Sequence, residues 1–196
     1  MPMVKGLFPM RRLPACFLFG AAALLLASCA QEPSMIVLAP RPALTTEDIG
    51  GQAPVLLVVA DDRPAGDRQA METLPPVMEM LQGQISSVLK AKGFRPVSTL
   101  ESPTRRLEVH LSQLGYETES STLKSSVTAR MTLSVTAFVE GWTFTHTYRS
   151  ADEETVALGA SQATRERAVN GAVEELLTKL FADDQLYRQL SGKEGQ

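Results

Sequence analysis

Residues 127–149 alternate between apolar and polar side chains almost throughout, and no other feature limits the fold as much. Val127, Ala129, Met131, Leu133, Val135, Ala137 and Val139 interleave with Thr128, Arg130, Thr132, Ser134 and Thr136. Trp142, Phe144, His146 and Tyr148 then interleave with Thr143, Thr145, Thr147 and Arg149. Side chains along a strand point to opposite faces in turn, so a period of two predicts strands with one face buried. Glu140-Gly141 separates the two runs by the length of a tight hairpin loop. Such a loop sets Val139 opposite Trp142, Ala137 opposite Phe144, Val135 opposite His146 and Leu133 opposite Tyr148. Both apolar faces coincide in this register, whereas a slip of one residue turns them to opposite sides. The other face, rich in Thr and Ser, is expected to be wet.

The rest of the chain supplies partners for that apolar face. Val55 to Ala60 is a continuous apolar run that fits a buried strand, ended by Asp61-Asp62-Arg63-Pro64. Pro75 or Pro76 opens a helix, since proline is tolerated in a first turn. Met78, Leu81, Ile85, Val88 and Leu89 share one face of it, Lys90 and Lys92 lie in its last turn, and Gly93 caps it. Leu107, Val109 and Leu111 alternate with Glu108, His110 and Ser112 as a further strand. A second helix spans about 164–182, with Ala168, Val169, Ala172, Val173, Leu176, Leu177 and Leu180 on its apolar face and Gly171 as a weak point. Leu186, Tyr187 and Leu190 extend it or dock as a short final turn. The order β-α-β-β-β-α predicts an α+β domain over 54–191: a mostly antiparallel four-stranded sheet with two helices packed on one face. Strand order stays open, because a strand–helix–strand unit makes its strands parallel neighbours or leaves room between them. Residues 192–196 are expected to fray.

The N-terminus reads as an address. Lys5, Arg11 and Arg12 precede an apolar run from Leu13 to Ala27, and Leu26-Ala27-Ser28-Cys29 follows. Positive charge, a short apolar core and small residues before a cleavage point describe a secretory signal. The run is shorter than the roughly 20 residues needed to span a bilayer. Leu26, Ala27, Ser28 and Cys29 resemble the bacterial lipobox, which implies cleavage after residue 28 and acylation of Cys29. Cys16 is lost with the signal, so the mature chain keeps one cysteine, at its first position, and no internal disulfide is possible. Two or more acyl chains make anchoring stable where one does not, and a bacterial lipoprotein normally carries three. Ala30, rather than aspartate, follows Cys29, and the general sorting pattern then implies the outer membrane, on its periplasmic face. Residues 29–53 carry Pro33, Pro40, Pro42, Gly50 and Gly51 and read as a lipidated N-terminus and tether. Met35 to Leu38 form an apolar island there that adds to a sheet edge or packs on the core.

Charge and motif content narrow the chemistry. The signal holds three of the 19 basic residues and none of the 22 acidic ones, so the mature chain carries a net charge of about −6. Nucleic acid needs a basic patch and is not an expected partner. With His110 and His146 as its two histidines and Cys29 acylated, the chain offers no Cys/His metal cage, and no cofactor is expected. No nucleophile elbow or phosphate loop follows a strand. Asp61 and Asp62 are adjacent in a strand end and point apart, so an Asp61–Arg63 pair or a cap is the simpler reading than an acid–base pair. Asp152-Glu153-Glu154 reads as a solvated loop rather than a calcium site. His146 reads as a packing residue. The row Trp142, Phe144, His146 and Tyr148 reads as core, and becomes a ligand groove if a helix leaves it uncovered.

The mature chain also resembles the YajG-type family of bacterial lipoproteins. The resemblance rests on Leu26 to Cys29, the Ile36-to-Pro40 segment, Ala60-Asp61-Asp62-Arg63, Lys92-Gly93-Phe94 and a strand from Leu107 that ends in Ser112-Gln113-Leu114. Tyr148-Arg149-Ser150 and Ala168-Val169-Asn170 with Leu176 complete it. It implies a small outer-membrane-directed lipoprotein and brings no catalytic residue with it. The expected function is a non-enzymatic binding or adaptor module, anchored to the membrane by its lipid and serving a protein partner in the envelope. The alternatives are a carrier of lipid or another small hydrophobic ligand and a peptidoglycan-acting enzyme using Asp61 or Asp62. Such an enzyme needs two carboxylates about 5 to 9.5 Å apart.

Overall fold

The computed structural model describes residues 34–44, 46–99 and 104–192. The elements in chain order are β1 (Ser34–Val37), β2 (Pro54–Asp61), α1 (Ala65–Ala70), β3 (Met71–Leu74), α2 (Val77–Ala91), β4 (Arg95–Val97), β5 (Arg105–Ser120), β6 (Lys124–Val139), β7 (Trp142–Ala157), α3 (Gln162–Phe181) and α4 (Asp184–Ser191). The main sheet has the order β4-β2-β5-β6-β7, and β1 pairs with β3 in a separate two-stranded ladder.

The β6–β7 hairpin has the predicted register, with Val139↔Trp142, Ala137↔Phe144, Val135↔His146 and Leu133↔Tyr148. Glu140 (φ 45°) and Gly141 (φ 91°) both take positive φ, as a turn that follows the right-handed strand twist requires. The fold is α+β, but the sheet departs from the expected four antiparallel strands. It has five and is mixed: β2 runs parallel to both β4 and β5, while β5, β6 and β7 are antiparallel. The addition is β4, three residues after α2 whose Pro96 sits on a sheet edge, where a missing N–H costs nothing. Three residues with one proline carry too little pattern to be read from sequence.

Helices α2, α3 and α4 bury their apolar faces in one cluster with the inward residues of β2, β5 and β6. Leu107, Val109, Leu111, Val127, Ala129, Met131, Leu133 and Val135 are all sealed from solvent. The alternation of β5 breaks after Leu111, where a bulge around Ser112 moves the inward phase to Leu114. β5 therefore continues nine residues beyond Leu111 as the long partner of β6. Gly93 (φ 79°) ends α2 as expected. The Lys92 carbonyl accepts from the Ile49 and Gly50 amides, and Gly50 lies so close to the Gly93 backbone that a Cβ there would stand 2.6 Å from it.

Two local readings change. Asp152, Glu153 and Glu154 are not a loop; they lie within β7, paired with Ala129, Thr128 and Val127. β7 closes one edge of the main sheet, where charged side chains discourage unwanted pairing, so an acidic run suits a strand here. Residues 34–53 include ordered structure rather than tether alone. Ile36, Leu38 and Pro40 point inward and are buried, and the island at 35–38 pairs with β3. Beyond it, the amides of Val37, Ala39, Arg41 and Ala43 donate in turn to side chains of Glu166, Asn170, Glu174 and Thr178 on α3. Two extended residues advance about 6.6 Å and four helical residues about 6.0 Å, so an extended segment keeps step with one helix face.

Candidate functional site

The expected acylation motif Leu26-Ala27-Ser28-Cys29 lies outside the described residues, as do the expected signal peptide and the tail 193–196. What the fold shows is the set of surfaces attached to it.

The aromatic row of β7 is not a groove beneath a helix. Trp142 is 75% exposed, His146 is exposed, Phe144 is half-buried, and only Tyr148 is in the core. The row thus runs from packed interior out to solvent at the β6–β7 turn. His146 stacks on Tyr148 with ring centroids 4.5 Å apart and planes 17° from parallel, and Phe144 lies 6.3 Å from His146. The Tyr148 hydroxyl donates to Asp183, whose other carboxylate oxygen accepts from the Leu186 amide at 3.0 Å and so caps α4. His146 Nδ1 stands 3.7 Å from the same carboxylate. Burial, then the hydrogen bond to Asp183, raises the Tyr148 hydroxyl above its ordinary pKa. It is held neutral, as a donor that locks the α3–α4 corner to the sheet.

Asp61 and Asp62 point apart. Asp61 takes both Nε and Nη2 of Arg63 at 2.9 Å, and that contact holds its carboxyl below the usual aspartate range. Asp62 meets His110 Nδ1 at 2.8 Å on the wet face of the sheet, where Glu108 and Arg106 continue the row. The predicted Asp61–Arg63 pair forms, and the two carboxylates do not converge on one cleft.

Sequence reasoning missed the groove between β7 and α3, about 580 Å³, whose walls include Asp152, Glu154, Arg167, Glu174 and Lys179. Its signal was the continuing period of two beyond Tyr148. Ser150, Asp152 and Glu154 all turn toward α3, with Ser150 donating to the Ala172 carbonyl at 2.6 Å. Gly171 lets α3 pass close to β7, since a Cβ there would lie 2.2 Å from the Asp152 carboxylate. Burial, then Glu154, raises the Asp152 carboxyl above its ordinary value. Arg167 meets Glu154 at 3.5 Å, and Lys179 meets Glu175 at 2.6 Å. The groove is thus lined by charges that pair locally. Among the described residues no group of three or more side chains is placed to hold a metal ion.

Large apolar side chains stand exposed at both ends of the long strands: Trp142 at one, Leu123 (78%) and Leu158 (82%) at the other.

Comparison with known proteins agrees with the resemblance read from the sequence. No curated protein matches. Among solved structures, a Xanthomonas campestris protein is 12% identical, over 81% of this chain and 97% of its own, with a TM-score of 0.48. Rare lipoprotein B of Shewanella oneidensis is 10% identical, over 71% and 96%, with a TM-score of 0.37. Lipoprotein GNA1162 of Neisseria meningitidis is 10% identical, over 63% and 96%, with a TM-score of 0.33. Likenesses at this level say nothing about function. The model of a family described as "Uncharacterized lipoprotein" matches residues 43–191, nearly all of the folded part. The chain belongs to this lipoprotein family and with it to the membrane-anchored proteins of the bacterial envelope.

Proposed function

We propose that this lipoprotein is a non-enzymatic adaptor, anchored by acyl chains on Cys29 to the periplasmic face of the outer membrane, that presents the turn end of the β6–β7 hairpin to a protein partner. The observation that carries the reading is Trp142, 75% exposed at the tip of a fully paired hairpin, with Phe144 and His146 behind it. A large side chain on a fixed backbone loses little entropy on docking, and tryptophan is enriched among the residues that dominate interface energies. The lipobox and Ala30 support the anchor and its membrane, and the family supports the class. The divergence of Asp61 and Asp62 weighs against hydrolysis by that pair.

The test is a pull-down of the native lipidated protein in mild detergent, reporting proteins and lipids together, with Cys29→Ala and Trp142→Ala as comparisons. A reproducible protein partner, reduced at least tenfold in the Trp142→Ala sample, is the expected result. Stoichiometric bound lipid with no protein partner would replace the adaptor with a carrier.

A further inference from the structure

Three exposed apolar side chains and the point where the chain enters the fold share one end of the molecule. Lys124 pairs with Ala157, so the β5–β6 turn bearing Leu123 lies beside the β7–α3 loop bearing Leu158. That loop leads directly into α3 at Gln162. Gln162 donates to the Met35 carbonyl, and the Val37 amide donates to Glu166 one turn on, so β1 begins at Ser34 beside the start of α3. Met35 itself is 52% exposed.

We infer that this end, formed by Leu123, Lys124, Leu158 and Met35, rests on the lipid surface of the membrane that holds Cys29. The inference builds on the anchoring reading above. Five residue steps separate Cys29 from Ser34 and reach at most about 17 Å when fully extended. The headgroup layer on one side of a bilayer is roughly 5 to 8 Å deep. An acylated Cys29 therefore keeps Ser34, and the loops beside it, within contact range of the headgroups. The tether does not hold the far end there, because β6 alone is 16 residues long, about 50 Å.

The chemistry of the end suits such a surface. Residues 120–124 and 155–163 carry one ionisable side chain, Lys124, and it is positive, in a chain that is 21% charged. Leu158 holds φ at 60°, a region that disfavours a bulky side chain, and it projects into solvent instead of gaining core contacts in return. Each contact is weak alone, but a short tether sets a local concentration near the millimolar range, at which weak contacts are occupied.

The experiment uses full-length lipidated protein in phosphatidylethanolamine–phosphatidylglycerol vesicles. The acylated Cys29 leaves no free thiol in the mature chain, so Thr122→Cys and Thr143→Cys each carry a single environment-sensitive dye, one per end. Dye at position 122 is expected to be quenched at least threefold more by lipids bearing nitroxide on their chains than dye at 143. Added Leu123→Ser and Leu158→Ser changes should abolish that difference while flotation with vesicles persists. Flotation with solvent-like dye at both positions would overturn this inference and leave the anchor intact. A blue-shifted dye at 122 untouched by nitroxide lipid would assign the end to a protein, such as a second copy, and overturn it equally. Failure to float, matching Cys29→Ala, would remove the anchoring reading and this inference together.

Discussion

Asn170 shows how one side chain replaces a strand. Its amide nitrogen donates to the Val37 carbonyl at 2.8 Å, and its amide oxygen accepts from the Ala39 amide at 2.7 Å. A neighbouring parallel strand would offer the same two contacts through the N–H and C=O of one residue. Asn170→Ala removes both at once and should cost about 1 to 3 kcal/mol, concentrated in residues 34–44. Limited proteolysis and hydrogen exchange should show that segment opening well before the sheet, whereas uniform loss across the domain would mean the segment is not a separate unit. The Asp61–Arg63 pair is a second local device. Arg63 is 6% exposed, and its Nη1 already lacks a partner, so Asp61→Ala leaves a buried guanidinium without its counter-charge. A loss of about 3 kcal/mol is expected, largely recovered in an Asp61→Ala/Arg63→Met double variant. Because the folded carboxyl lies below its unfolded value of about 3.8, the contribution is full above about pH 4 and fades as pH falls through the lowered folded value. Denaturant midpoints of the native chain and Asp61→Asn, followed against pH, should therefore converge at low pH; a constant gap down to pH 2 would exclude the linkage.

At the scale of elements, the bulge in β5 and the extended segment on α3 matter most. Ser112 is the extra residue that lets Leu111 and Leu114 both face inward. Deleting it leaves Leu111 and Leu114 at the spacing of a regular strand, both still inward, so the deletion variant should unfold cooperatively. One residue inserted after Leu114 instead turns the rest of β5 to the other face and should lower Tm sharply, and Ser112→Ala should change Tm by less than about 2 °C. Circular dichroism melts of the three variants check this, and an unfolded deletion variant would mean that the bulge itself, and not only the register, is required. The bulge was legible as an irregularity, since the spacing between the two leucines is three instead of two. The segment on α3 was legible only as an apolar island. Its pairing depends on Glu166, Asn170, Glu174 and Thr178, which are more than 120 positions away and whose spacing of four marks only an ordinary polar helix face. The acidic run at 152–154 misled for a related reason: a charged triplet has the composition of a loop, and only its place on β7 beside α3 makes it a strand.

Over the whole molecule, the long strands separate two ends with different surface chemistry. Trp142→Ala should leave Tm within about 2 °C, because an exposed side chain contributes little to folding, and should act on partner capture alone. The leucine substitutions should act on the lipid contact alone, so the two functions separate by position. The sequence by itself determined the hairpin, its register, the two principal helices, the apolar face they cover and the lipoprotein class. Each of these rests on local periodicity or on a contiguous motif, where spacing along the chain is spacing in space. Only the tertiary structure decided the parallel β4-β2-β5 half of the sheet, the anchoring of residues 37–43 along α3 and the open position of the aromatic row. The same alternation that set Trp142 and Tyr148 on one face could not say where the helices above it end, and that boundary leaves one ring in solvent and the other in the core.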